Sequence, residues 1–429
     1  MGEAAEAREA RPAYGALEDD VPPGYKRTEV GVIPEEWEVV RLDELVTFAS
    51  GGTPALSNTA LWVGDVPWAS SKDMKRSRLC DTEDHVSASA IGNGTRIAGR
   101  GSILVVVRGM ALAHTLPVAL VQADMAFNQD IKALVANKRL DSEFLLYVLQ
   151  GNEGPVLSLA TESTHGTKRL ETPELRSHIL RVPPLPEQRA IARALSDVDD
   201  LISALDRLIE KKRAIKQATM QQLLTGRTRL PGFGREWILR SLGELATITM
   251  GQSPESRFYN QTGVGEPLIQ GNTEIRNRRS VSTTWTVSCP KRCRAGDILM
   301  SVRAPVGAIA IASTDACIGR GVCSIEPMVN SQFLYHALIL AESAWDSLRQ
   351  GSTFQSASSK QVEAFRIPIP ASPEEQRAIA TILSDMDAEI AALERRREKT
   401  RLLKQGMMQE LLTGRIRLVE TADREVAAG

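Results

Sequence analysis

The amino-acid sequence predicts an α+β chain: two tandem globular domains joined by two long antiparallel coiled-coil helices, with pseudo-two-fold symmetry. Three observations predict it. The segment Glu187-Gln188-Arg189-Ala190-Ile191-Ala192 recurs letter for letter as Glu375-Gln376-Arg377-Ala378-Ile379-Ala380. Each copy opens a stretch that ends in Leu-Leu-Thr-Gly-Arg-x-Arg-Leu, and between those bookends roughly two thirds of the positions are identical at an offset of 188 residues, far longer than a solenoid period. Finally, each stretch carries apolar residues at steps of three and four. In the first these are Ile191, Leu195, Val198, Ile202, Leu205 and Ile209; in the second they are Ile379, Leu383, Met386, Ile390 and Leu393.

That seam justifies the helices. Pro186 suits a first helical turn, Ser372 with Glu375 forms a capping box around Pro373, and Gly226 and Gly414 stand where helices end. Each helix is expected to run about forty residues, on the order of 60 Å. A single a/d seam is most simply a core helix packed on its own domain. Two matched seams in one chain offer each other a partner, and antiparallel pairing would make a ruler with a reader at each end. The mixed charges of Glu210-Lys211-Lys212-Arg213 and Glu394-Arg395-Arg396-Arg397-Glu398-Lys399 suit solvation or protein docking better than direct DNA contact.

The duplication extends into the globular parts. Trp37, Leu42, Glu44, Leu45, Gly51 and Pro54 are answered by Trp237, Leu242, Glu244, Leu245, Gly251 and Pro254. Gly101-Ser102-Ile103-Leu104 with Arg108 is echoed by Gly296-Asp297-Ile298-Leu299 with Arg303, a glycine turn followed by a strand. Glu143-Phe144-Leu145 and Gln332-Phe333-Leu334 begin a short helix in each half. Between these echoes the halves diverge, which predicts one scaffold carrying two binding chemistries. The resulting division is a disordered acidic leader at 1–23, a domain at 24–185, a helix at 186–230, a second domain at 231–370, a second helix at 371–419 and a tail at 420–429.

The 429 residues exceed one core and suit two domains, and 42% apolar with 24% charged residues is an ordinary globular composition. A formal charge of -1 excludes a uniformly basic surface, so any nucleic-acid contact must use local patches. No apolar run reaches membrane-spanning length and no secretory signal is present, which predicts a cytoplasmic protein. The five cysteines are too few for a disulfide framework. Neither Cys289/Cys293 nor Cys317/Cys323 has zinc-knuckle spacing, and the five histidines, His85, His114, His165, His178 and His336, are scattered, so no metal site is expected.

Catalytic signatures are missing. No Gly-Lys-Ser/Thr phosphate loop, no Asn/Asp-Pro-Pro-Tyr/Phe methyltransferase sequence and no glycine-rich cofactor loop occurs. The chain therefore reads as a recognition module with no catalytic residues. Arg reads guanine bidentately, Gln and Asn read adenine, and Lys and Arg neutralise phosphates. The candidate DNA contacts on these grounds are Ser70, Lys72, Lys75, Arg76, Arg96 and Arg108 in the first half, with Arg78 and Arg100 beside them. In the second half they are Gln270, Asn272, Arg276, Arg278 and Arg303, with Arg279, Lys291, Arg292 and Arg294 nearby.

The phrase from Gly24 to Trp37 (Gly-Tyr-Lys-Arg-Thr-Glu-Val-Gly-Val-Ile-Pro-Glu-Glu-Trp), the Pro183-Pro184-Leu185-Pro186-Glu187-Gln188 helix start and the Leu-Leu-Thr-Gly exits resemble the specificity subunit of type I restriction–modification systems. The resemblance spans nearly the whole chain after the leader. It implies two target-recognition domains alternating with two helical spacers, each domain reading half of a bipartite site in double-stranded DNA. It also implies that this chain binds no cofactor. S-adenosylmethionine would belong to two methyltransferase (modification) subunits, and ATP and magnesium to restriction/translocase subunits. Two rivals remain open on the residues alone: a self-sufficient DNA-modifying or cleaving enzyme with two readers, and a protein scaffold that binds no DNA.

Overall fold

The structure, a computed structural model, describes residues 21–162, 167–349 and 356–418, without side chains at 346–349. The expected leader lies almost entirely outside the described residues, as do His165 and the tail after 418. The chain divides into two compact units. One comprises residues up to Ser203 together with Glu398 onward; the other runs from Ala204 to Arg397.

In the first unit a five-stranded sheet has the order Val46–Ser50, Ile131–Ala136, Ile103–Val106, Val118–Val121, Arg78–Leu79. Its middle strand, Ile-Leu-Val-Val, is buried on both faces, which is why it reads as a continuous apolar run and not as an alternation. A four-stranded sheet follows the order Asp84–Val86, Val66–Ala69, Met125–Phe127, Arg96–Ala98. Glu38–Arg41 pairs antiparallel with Ile179–Val182, so the strand after the unit's first tryptophan is tied to the strand before the long helix.

The second unit repeats this plan. Ala246–Met250, Val322–Pro327, Ile298–Ser301, Ile309–Ile311 and Arg279–Ser280 form the equivalent sheet, extended by Ile275–Arg276. Glu266–Ile269, Ala316–Ile318 and Arg292–Cys293 recur in the other sheet, and Trp237–Ser241 pairs with Arg366–Pro370. The short helices expected from the phenylalanine echoes are Ser142–Gly151 and Ser331–Leu340. Asp141 and Asn330 cap them, accepting from the amides of Phe144 and Phe333.

The long helices are Leu185–Leu223 and Pro373–Leu411, 39 residues each. Gly226 and Gly414 follow them at φ +70° and +74°, the left-handed conformation that ends a helix with least strain in glycine. In each unit the start of one helix packs beside the end of the other, antiparallel. Ile191 and Leu195 share a core with Leu411 and Leu412; Ile379 and Leu383 share one with Met220, Leu223 and Leu224. Leu205, Ile209 and Ile390 are buried farther along, while Val198, Ile202, Met386 and Leu393 are half-buried. The same cores contain Trp37 and Phe144, or Leu242 and Phe333, so the first seam residues serve their own domain as well as the partner helix.

Ion pairs fix the helix register. Lys404 meets Asp199 at 2.7 Å in one unit. In the other, Asp387 takes Lys216, Lys212 meets Glu389 at 2.6 Å, Arg213 meets Glu394 at 2.6 Å, and Arg397 meets Asp206 at 2.8 Å. Several residues of the charged runs are thus engaged between helices.

The repeated Glu-Gln dipeptide is a joint. Glu187 accepts both Nε and Nη2 of Arg417, at 2.7 and 2.8 Å, and Glu375 accepts the same two atoms of Arg229, both at 2.7 Å. Each glutamate thereby ties the start of its helix to the Gly-Arg-x-Arg exit of the other, through a bidentate charge-assisted pair. The adjacent glutamine docks the domain: Gln188 accepts the Asp141 amide and donates to the Pro183 carbonyl, and Gln376 accepts the Asn330 amide and donates to the Pro370 carbonyl. One expectation needs correction. Ser372 accepts the Glu375 amide at 3.4 Å, but its hydroxyl donates to Glu374. The Glu375 carboxylate does not return to the cap because Arg229 holds it.

Candidate nucleic-acid interface

In each unit three loops meet at the ends of the sheets, joined by equivalent backbone hydrogen bonds. In the first unit Gly52 N–H donates to Phe127 O at 2.9 Å, Asn128 N–H to Ala69 O at 3.0 Å and Val107 N–H to Asp130 O at 2.8 Å. In the second Gln252 N–H donates to Ile318 O at 2.9 Å, Gly319 N–H to Ile269 O at 2.8 Å and Val302 N–H to Gly321 O at 2.9 Å. These bonds equate 51–54 with 251–254, 69–72 with 269–272, and 128–130 with 319–321. Side chains add to the junction: Thr53 Oγ1 donates to Gln129 Oε1, and Ser253 Oγ accepts the Arg320 amide at 3.1 Å.

The candidate residues distribute unevenly over this frame. Ser70 begins the second loop, where Asp73 accepts its amide and its hydroxyl. Lys72 lies 2.9 Å from both Glu83 and Asp84, whose hydrogen bonds raise its pKa. Arg96 is exposed opposite Phe127 in the strand register, at the edge of the junction. Arg108 and Arg303, also exposed, each follow the valine that binds the third loop. Gln270 and Asn272 are exposed on the second unit's equivalent of the Ser70 loop, where Glu274 accepts the Gly271 amide.

Lys75, Arg76 and Arg276 are exposed, but no bond of the junction holds their loops. Arg278 sits at φ +61°, donates to the Ile309 carbonyl and grips Glu342 with both terminal nitrogens, which raises its pKa and occupies its fork. Arg78 is similarly occupied by Glu143, Tyr147 and Ser196, and Arg292 by Glu266. Thr53, Gln129, Ser253 and Arg320 were absent from the candidates. Their only sequence signal was the Gly51/Gly251 and Pro54/Pro254 echo; the third loop was hidden because its equivalence runs at a different offset.

Among the described residues no group of three or more histidine, cysteine or acidic side chains could hold a metal. Strand register shows one reason: Arg292 stands opposite Cys317 and Cys293 opposite Ala316, so the two thiols take opposite faces of the sheet. No helix among the described residues is long and apolar enough to cross a membrane.

This duplicated frame agrees with the comparisons to known proteins. The model of the type I restriction modification DNA specificity domain matches residues 34–216 and again 234–403, and the chain belongs to that family, with two copies of its domain. A Methanocaldococcus jannaschii protein with the provisional name of MjaX type I restriction enzyme specificity subunit is 29% identical over 416 residues, 92% of this chain and 97% of its own length. Two solved chains share the fold. The type I restriction–modification S subunit from M. genitalium gives a TM-score of 0.58 at 18% identity, covering 87% of this chain and 96% of its own. A chain from a structural study of complex assembly and conformational transition in the type I R-M system gives 0.57 at 23% identity, covering 90% and 99%.

Proposed function

We propose that this chain is the non-catalytic specificity subunit of a type I restriction–modification complex and that each domain reads one half of a bipartite site in double-stranded DNA. The observation that carries this reading is the loop junction, built twice with equivalent backbone bonds and furnished with different exposed side chains. An enzyme site duplicated for one reaction would need the same side chains at both tips. The three-loop junctions, with Arg96, Arg108 and Arg303 at their margins, face the DNA; cations there neutralise phosphates while amides and guanidinium groups address base edges.

The paired helices set the distance between half-sites; the Glu187–Arg417 and Glu375–Arg229 joints, one within each unit, support this reading by tying the start of each helix to the exit of the other. Their outer faces dock two methyltransferase subunits, which in turn recruit restriction/translocase subunits. Methyl transfer with S-adenosylmethionine, and ATP- and magnesium-dependent translocation and cleavage, belong to those partners in the cytoplasm. On this reading 24–185 and 231–370 are the recognition domains, and 186–230 and 371–419 the spacers.

Methylome sequencing of cells with the partner methyltransferase, with and without this chain, tests the proposal. A split methylated motif that appears only with the chain is expected; methylation identical in both cultures overturns it.

A further inference from the structure

We propose that residues 129 and 320 are the equivalent base-reading positions of the two domains, Gln129 selecting an adenine edge and Arg320 a guanine edge in the major groove. The inference rests on the DNA-reading function proposed above and assigns it to one position per domain. The third loop is the best fixed of the three. Its flanking residues are bonded on both sides, Asn128 and Gly319 to the second loop and Asp130 and Gly321 to Val107 and Val302. The intervening residue therefore starts from the same backbone position in both units whatever its side chain is.

That residue is the exposed one of the loop in both units, Asp130 beside it being half-buried and Gly321 having no side chain. In the second unit its neighbours are Gly319 and Gly321, and a Cβ at 321 would stand 2.1 Å from the Gln270 carbonyl oxygen, so the loop is pressed against the second loop with no room for a side chain there. In the first unit Asn128 is 7% exposed and its Oδ1 accepts the Asp130 amide, so it too turns inward. Gln129 and Arg320 are exposed.

Both side chains remain able to bind. No acidic partner meets Arg320 among the described residues, in contrast to Arg78, Arg278 and Arg292. Thr53 donates to Gln129 Oε1, which orients the amide, keeps a lone pair on that oxygen and leaves Nε2 free to donate. A bidentate amide matches the N6 and N7 atoms of adenine, and a bidentate guanidinium matches the O6 and N7 atoms of guanine. The two domains thus differ, at one shared position, by the pair of side chains that distinguishes those two purines.

The test uses the full chain with its methyltransferase, comparing wild type with Arg320→Gln and Gln129→Arg by methylome sequencing. Arg320→Gln is expected to alter or relax one base pair in one half-site, with discrimination there falling roughly ten- to a hundredfold, and Gln129→Arg to do the same in the other half. An unchanged motif with methylation intact overturns the inference while leaving the proposed function standing. If a variant loses methylation altogether, binding of its purified complex to duplexes varied one base pair at a time decides. Losses that depend on a single base pair support base reading. Equal losses on every duplex, with a shallower salt dependence, make the residue a phosphate contact and overturn the inference. A wild-type complex with no motif overturns the DNA-reading function itself.

Discussion

Glu187 and Glu375 occupy the same position in the two units, yet their surroundings differ. Glu187 accepts Arg417 and also the indole N–H of Trp37, at 3.0 Å. Glu375 accepts Arg229, and the equivalent Trp237 Nε1 is buried without a partner. A second difference lies one turn into the short domain helix, where buried Tyr147 of the first unit is replaced by buried His336 in the second. These are small departures within a shared joint. At the loop junction the residues differ outright, half-buried Ser70 against exposed Gln270, and exposed Gln129 against exposed Arg320. The contrast has a physical basis. Joint residues satisfy each other through side chains, so changing one strands its partner; the loops are held by backbone bonds, which leave the projecting side chains free to vary.

The joint is most severely tested by Glu187→Ala. It strips Arg417 of its bidentate partner and orphans the Trp37 indole, so chemical denaturation should show a loss of about 3 kcal/mol. Glu187→Gln should lose less, because an amide oxygen still accepts from Trp37. A loss below about 0.5 kcal/mol for the alanine variant would show that the joint is not what holds the helix ends.

The histidine sharpens the contrast between units. Burial, helped by Lys216 and opposed by Asp387, pulls the pKa of His336 down to about 4, so the folded state keeps it neutral. Its contribution to stability is complete above the unfolded value near 6.5 and is lost as pH falls toward 4. The second unit should therefore weaken by on the order of 2 kcal/mol across that window. His336→Tyr, which restores the first unit's residue, should remove this histidine-dependent part in a pH series of denaturation midpoints.

The smallest effect separates the two indoles. Trp37→Phe removes a satisfied hydrogen bond and leaves a lone pair of Glu187 unused, costing about 1 kcal/mol more than Trp237→Phe, which removes a donor that had no partner. Thermal melts of the two variants should differ in that direction; equal shifts would mean that Trp237 Nε1 is satisfied in solution.

Much of the frame was legible because it is carried by short-range pattern. The three-and-four spacing announced the helices, Gly226 and Gly414 marked their ends, and Ile103 and Ile298 marked central strands. The job of Glu187 and Glu375 was not legible, since Arg417 and Arg229 lie 230 and 146 residues away along the chain. The capping-box spacing of Ser372 and Glu375 was a local solution that lost to that distant arginine. The candidate site was only partly visible for the same reason. Composition marks arginines, but it cannot say that Arg278 is spent on Glu342 while the Arg320 side chain meets no acidic partner among the described residues, and Gln129 lies outside any basic cluster.

The most direct test of two independent readers on one frame is to replace residues 237–366 with the corresponding segment of a relative that specifies a different motif, and to sequence the methylome. The account predicts a new sequence in one half-site, with the other half and the spacing unchanged. A change in both half-sites, or in the spacing, would contradict it.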